Sequence, residues 1–493
     1  MKTRLRILYL SSEVAPFVKN GRIAEIAGAL PRTLFDMGHD IRIMMPKYGT
    51  ISERKYTLRE VIRLKEIPIQ QGETKNVVNA KSAFLPETKV QVYFLDYKPY
   101  FERLDFQADP KTGQESEQNA VRSILFCRAA METSKLLHWD PQLIFCNDWS
   151  TALIPWLLKN EYRHDPFFAK CISLLAIHDF KRQGVFPESI LTQTGLNQAE
   201  PAFADLLHNG RANLLKAGVL NADIISASGS TLLPHLWKDP SLSYGLYDIL
   251  KKRKDHLTEV MDGIDYSVWN PEIDSHLVEP YSINQLKGKG SNKLELLASW
   301  GLAAENGPLL GVFFDQPMTK NSDMMFDLLP QLVSLNLNLV AVFADDLIKR
   351  RGIDKLRKSF PNKIAVVVAP DLPLTHRLIA GCDFMLSADC SEQQIARQMI
   401  HLHYGTLPLV PKNGCVMESL GESGEGKCKG FYFDGCDKKA LLVAVKNALQ
   451  CYQDEKNWQK LVKKAMKFDF CWKNAAEKYV KLLQRFDPTK KKK

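Results

Sequence analysis

Short, continuously apolar runs rich in β-branched residues recur along the chain, with longer helix-patterned segments between them. In the first half these runs are LRILYL (5–10), IRIMM (41–45), VQVYFLD (90–96), QLIFCND (142–148), ISLLAIHD (172–179) and DIISAS (223–228). In the second they are LLGVFF (309–314), NLVAVFA (338–344), IAVVVA (364–369), DFMLSA (383–388), LPLV (407–410) and GFYF (430–433). Runs that are apolar throughout, rather than at every second residue, suit parallel strands covered on both faces. Two successive series of this kind predict an α/β protein of two doubly wound, Rossmann-like domains.

A chain of 493 residues exceeds what one core supports, since single domains rarely pass about 250–300 residues. The pattern breaks in YSVWNPEIDSHLVEPYS and QLKGKGSNK, where Pro, Gly, Ser and Lys gather. The expected organisation is an N-terminal domain over 1–265, a hinge or linker over 266–300 and a second Rossmann-like domain over 301–465. A C-terminal helix over 466–486 is expected to pack back on the N-terminal domain, and a basic, disordered tail fills 487–493.

Ten cysteines stand singly with no metal-like spacing, which favours reduced thiols and a cytoplasmic location. No stretch approaches the roughly 18 apolar residues of a membrane span. The net charge of +10 owes four lysines to the last four residues, and no helix carries a basic stripe interleaved with aromatics. Nucleic acid and membranes are therefore not expected partners.

Ligands of open α/β sheets bind beyond the carboxyl ends of the strands, so residues just after each run are the candidates. After LRILYL comes EVAPFVKNGRIAEIAGALP (13–31), a loop leading into a helix near Ile23. Its free backbone N–H groups and the positive end of the helix dipole suit a phosphate, although a plain strand-to-helix turn has the same outline. His178, Asp148 and Trp149 sit at two further strand ends, and Trp149 also suits core packing.

The stretch from Leu8 to Ile51 resembles the N-terminus of the bacterial glycogen synthase and plant starch synthase family. The similarity recurs in FCNDWSTALIPWLLK (145–159), AIHDFKRQGVFP (176–187), SYGLYDIL (243–250), MDGIDYSVWNP (261–271), HRLIAGCDFML (376–386) and YGTLPLV (404–410). The resemblance implies a GT-B fold, two Rossmann-like domains facing across an interdomain cleft. It also implies retaining transfer of glucose from ADP-glucose to the non-reducing end of an α-1,4-glucan, in glycogen biosynthesis, with no metal or other cofactor.

Residue by residue, the resemblance implies that Lys19 and Gly21 belong to the donor-phosphate loop and that Glu13, Asp148, Trp149 and His178 lie near sugar or acceptor. Lys320 falls on the lysine that neutralises the leaving diphosphate, and Glu392 on the glutamate facing the transferred glucose. Asn413, Gly414 and Cys415 replace a Thr-Gly-Gly loop. The chain departs from the family pattern where Arg22 takes the place of a second glycine, Glu25 that of an aspartate and Asp315 that of an arginine, and where Pro-Cys-Gly-Leu after Glu392 is missing. Either Arg22 blocks the donor site or it brings a guanidinium to the diphosphate, and it is expected to face Asp315 across the cleft. Two functions follow: a glucan synthase with impaired activity or altered donor, or an inactive paralogue that binds glucan or regulates an active synthase.

Overall fold

The computed structural model describes residues 4–103, 116–196, 201–228, 232–304, 307–314, 320–343, 353–386, 392–411, 431–433 and 437–485. The chain divides into two compact units. The first comprises Met1–Asp262 with Trp472–Lys493, and the second Gly263–Cys471.

The first unit is built on a ten-stranded sheet. Its order runs Leu257–Val260, Ile224–Ser228, Ile172–Ile177, Leu143–Asn147, Arg6–Leu10, Asp40–Pro46, Gln91–Asp96, Thr74–Phe84 and Arg59–Glu60, with Ile67–Gln71 hairpinned onto Thr74–Phe84. The seven strands from Leu257–Val260 to Gln91–Asp96 are mutually parallel. The strand Arg6–Leu10 lies between two others, and its last four residues are fully buried. The antiparallel edge was not expected from the sequence. Ile67–Gln71 buries every second residue and Thr74–Phe84 is largely polar, so neither carries the continuous apolar signature of the central strands.

Helix Trp472–Arg485 belongs to this unit. It buries Ala475, Ala476, Tyr479, Val480, Leu482 and Leu483, a helical stripe of apolar residues. The Tyr479 ring packs edge-on against Phe145 at 5.1 Å, and its hydroxyl lies 3.3 Å from that of Ser226. The helix expected over 466–486 starts later, at Trp472, and runs to Arg485, while the helix before it ends at Met466.

The second unit holds a six-stranded parallel sheet in the order Ile364–Val368, Asn338–Phe343, Leu309–Phe314, Phe384–Leu386, Leu407–Pro411, Phe431–Phe433. Counted along the chain this is third, second, first, fourth, fifth, sixth, the doubly wound order whose switch point lies between the first and fourth strands.

The hinge expected over 266–300 requires correction, because this segment is structured within the second unit. Asp274 accepts a 2.6 Å hydrogen bond from the Tyr404 hydroxyl and sits 2.7 Å from His376 Nδ1, while Trp269 stacks on the His376 ring at 4.0 Å. Residues Lys287–Ser299 form a helix despite two glycines in KGKGSNK. Tertiary contacts override the poor helix propensity there. Lys289 Nζ is buried and donates to the carbonyls of Ala380 and Cys382 and to Thr406 Oγ1 at 2.9–3.0 Å. The helix Leu372–Gly381 approaches so closely that a Cβ on Gly381 would lie 2.4 Å from Leu296. The expectation of reduced cysteines also needs amending. Cys127, Cys146, Cys171, Cys382 and Cys471 are free, but Cys451 is disulfide-bonded, which chain spacing does not reveal.

Helix Glu392–His403 carries a buried polar face. The ring nitrogens of His401 and His403 and both amide atoms of Gln398 have no hydrogen-bond partner among the described residues. Burial, helped by Arg397 and Lys289, holds His401 down at about 3. Burial against a weaker pull from Asp469 holds His403 at about 4, and its ring stacks on Tyr266 at 4.2 Å. Both values lie below the 6.5 of an exposed imidazole, so below that pH the unfolded chain binds more protons. Stability is therefore full above about 6.5 and is lost as pH falls toward 4 and 3. Urea unfolding at pH 5 is expected to show a loss of about 2 kcal/mol per histidine relative to pH 7. His401→Leu should remove about half of that loss, whereas an unchanged pH slope would contradict the assignment.

Candidate functional site

In the first unit, the carboxyl ends of five neighbouring strands bring together most of the residues singled out in the sequence. Strand Leu143–Asn147 ends on Asn147, whose amide nitrogen donates to the Leu10 carbonyl at 2.8 Å. Its oxygen lies 3.2 Å from both the Tyr9 hydroxyl and His178 Nε2. His178 follows strand Ile172–Ile177, and its backbone N–H donates to Asp148 Oδ1 at 2.6 Å. The imidazole is thus fixed from two sides while remaining at the strand end.

Asp148 has φ 53° and ψ −171°, a region that glycine ordinarily occupies and that costs other residues on the order of 1–3 kcal/mol. Its N–H donates to the Ala176 carbonyl at 2.9 Å, and the His178 N–H holds its side chain. Burial pushes its carboxyl up, opposed by His178 and Arg182. Trp149 is part of the core: its ring lies 5.6 Å from Phe186 and covers Gly184. Gly184 has φ +63°, and a Cβ there would lie 2.4 Å from the indole, so only glycine fits under this ring.

Glu13 follows strand Arg6–Leu10 and is half-buried. Burial raises its carboxyl, opposed by Arg182 and by the backbone N–H of Asn20, which ties Glu13 to the loop of Lys19 and Gly21. Lys19 is exposed. Gly21 precedes helix Arg22–Asp36 with φ −166°, extended backbone that any residue adopts, and a Cβ there would meet nothing within 4 Å. No side chain caps this helix.

Asp262, after strand Leu257–Val260, closes the group and was not singled out in the sequence. It sits within MDGIDYSVWNP as one more carboxylate after a strand, and only the fold shows what surrounds it. Its Oδ2 accepts from the Ser228 hydroxyl at 2.5 Å and lies 3.6 Å from an Arg22 nitrogen and 3.8 Å from His178 Nδ1. Arg22 also stands 4.0 Å from Glu25. The expected partner Asp315 lies outside the described residues; among those described, the acids beside Arg22 are Asp262 and Glu25.

In the second unit, helices Lys320–Val333 and Glu392–His403 begin after the first and fourth strands, the two that flank the switch point. Lys320 and Glu392 are the first residues of those helices, and their side chains are not among those described. Asn413, Gly414 and Cys415 lie outside the described residues. Among the described residues no cluster of three or more His, Cys, Asp or Glu side chains could hold a metal ion, and no helix is long and apolar enough to cross a membrane.

Residues 6–252 match the starch synthase catalytic domain family. A glycogen synthase of Chlorobium phaeobacteroides is 33% identical over 485 residues, covering 98% of this chain and 99% of that protein. Glycogen synthase 2 of Geobacter metallireducens is 33% identical over 483 residues, covering 97% and 98%. The catalytic domain of starch synthase IV from Arabidopsis thaliana, solved with ADP and acarbose bound, superposes with a TM-score of 0.81 at 22% identity, covering 98% of this chain and 99% of that one. The fold is accordingly the GT-B fold of that domain, and by its end-to-end relation to these proteins the chain belongs to the glycogen and starch synthase family.

Proposed function

We propose that this protein is a retaining glucosyltransferase of glycogen biosynthesis, acting in the cytoplasm to move glucose from ADP-glucose to the non-reducing end of an α-1,4-glucan. The observation that carries this reading is the relation to glycogen synthases over nearly the full length of both chains.

The chemistry divides among residues already named. As the anomeric C–O bond breaks, the departing ADP gains negative charge and the sugar becomes oxocarbenium-like, so fixed cations and N–H groups beside the phosphates lower the barrier. Lys320, at the start of its helix, supplies such a cation. Lys19 and the uncapped helix after Gly21 supply a second group of donors. Glu392 faces the glucose. His178 and Asp148 orient sugar hydroxyls from their strand ends, with the imidazole held by Asn147 and the carboxylate by the His178 N–H. Glu13 positions the acceptor, and Trp149 supports the site by keeping Gly184 and Phe186 packed beneath it.

Purified protein incubated with radiolabelled ADP-glucose and glycogen is expected to incorporate label into polymer, with UDP-glucose run in parallel to read donor preference. Absence of incorporation from both donors would overturn the proposal and leave a glucan-binding or regulatory paralogue. Lys320→Ala should lower the rate about 10²–10³-fold, the usual consequence of removing a donor aimed at developing charge. A rate within threefold of the parent would remove Lys320 from the mechanism.

A further inference from the structure

The Arg22 side chain is only 9% exposed, yet it makes no hydrogen bond among the described residues. Its two ionic contacts, at 3.6 Å to Asp262 and 4.0 Å to Glu25, are longer than hydrogen bonds. A guanidinium carries five N–H donors in a planar fork, and the nitrogens of Arg22 are not among the fully buried unpaired atoms, so they keep the access that a ligand needs.

The surroundings indicate what that ligand is. The helix that Arg22 opens has no side-chain cap, and a Cβ on Gly21 would meet nothing within 4 Å, so the backbone donors of its first turn and the guanidinium stand together at the carboxyl end of a parallel sheet. Asp262 holds the guanidinium by charge without engaging its donors, and its own Oδ1 has no hydrogen-bond partner among the described residues.

We propose that Arg22 is an anion-binding residue of this chain, donating its fork to a phosphate of a nucleoside diphosphate, with Asp262 as the positioning residue that holds it in place beforehand. The proposal rests on the nucleotide-sugar reading above. Where a glycine would leave backbone alone to meet the phosphate, this chain presents a charged, bidentate donor. Asp262 draws the guanidinium toward the strand ends, away from bulk water, and its Ser228 hydrogen bond keeps the carboxylate fixed while it does so.

Calorimetric titration of the full chain with ADP, inorganic pyrophosphate and adenosine tests this. Arg22→Gly is expected to weaken ADP and pyrophosphate by about 10–100-fold, the worth of charge-assisted hydrogen bonds, with adenosine unchanged. Arg22→Lys, which keeps the charge and loses the fork, should fall between. Thermal unfolding of each variant shows whether it is folded. Unchanged or tighter ADP binding by Arg22→Gly, an equal loss for adenosine, or no binding of ADP and pyrophosphate by the parent protein would each overturn the proposal. Glucosyl transfer by the parent with ADP affinity indifferent to Arg22 would sink this inference and leave the proposed function standing. Arg22-dependent ADP binding without transfer would do the reverse.

Discussion

Parallel pairing governs where chemistry can occur in this protein. When neighbouring strands all run one way, their carboxyl ends emerge along one edge, and the loops and helix starts that follow gather there without further instruction. In the first unit that edge collects Glu13, Asn147, Asp148, His178, Ser228 and Asp262 from five different places in the sequence. Each is anchored locally by a neighbour's polar group, so sheet order alone brings Leu10 and Asn147, 137 positions apart, into hydrogen-bonding range.

The second unit obeys the same rule and stabilises itself differently. Its early segment contributes Trp269, Asp274, Tyr281 and Lys289 to a network of stacked rings and buried hydrogen bonds with His376 and Tyr404. Such a polar interior specifies one packing, since an aspartate or lysine left without its partners there is heavily penalised. The unit is also sensitive to protons, because burial keeps His401 and His403, whose ring nitrogens have no hydrogen-bond partner among the described residues, neutral only while the fold excludes water.

Much of this was legible in the sequence, for identifiable reasons. The twelve apolar runs all became strands, because a strand buried on both faces must be apolar throughout. His178 and Asp148 were legible as residues following such runs. The antiparallel edge was not, since its strands alternate or are polar. The segment 266–300 reads as a linker because Gly and Lys look like linker residues until their partners are known; Lys289 is a buried donor to three oxygens that no local pattern announces. Asp262 went unmarked for a related reason: its significance lies in Arg22, Ser228 and His178, which only the folded sheet places beside it. Trp149 was open between site and core, and the ring over Gly184 assigns it to the core.

The helix Trp472–Arg485 has a temporal consequence. It buries Tyr479 and its neighbours in the core of a unit whose other residues end at Asp262, so more than two hundred residues of the second unit intervene in the chain. The two crossings of the backbone lie together, with Ile264 N–H donating to the Phe470 carbonyl at 2.8 Å. During synthesis the first unit emerges first, yet it lacks part of its own interior until residue 485 has left the ribosome. The sheet that carries the candidate site is thus the first part of the protein to be made and is completed only when its last helix arrives.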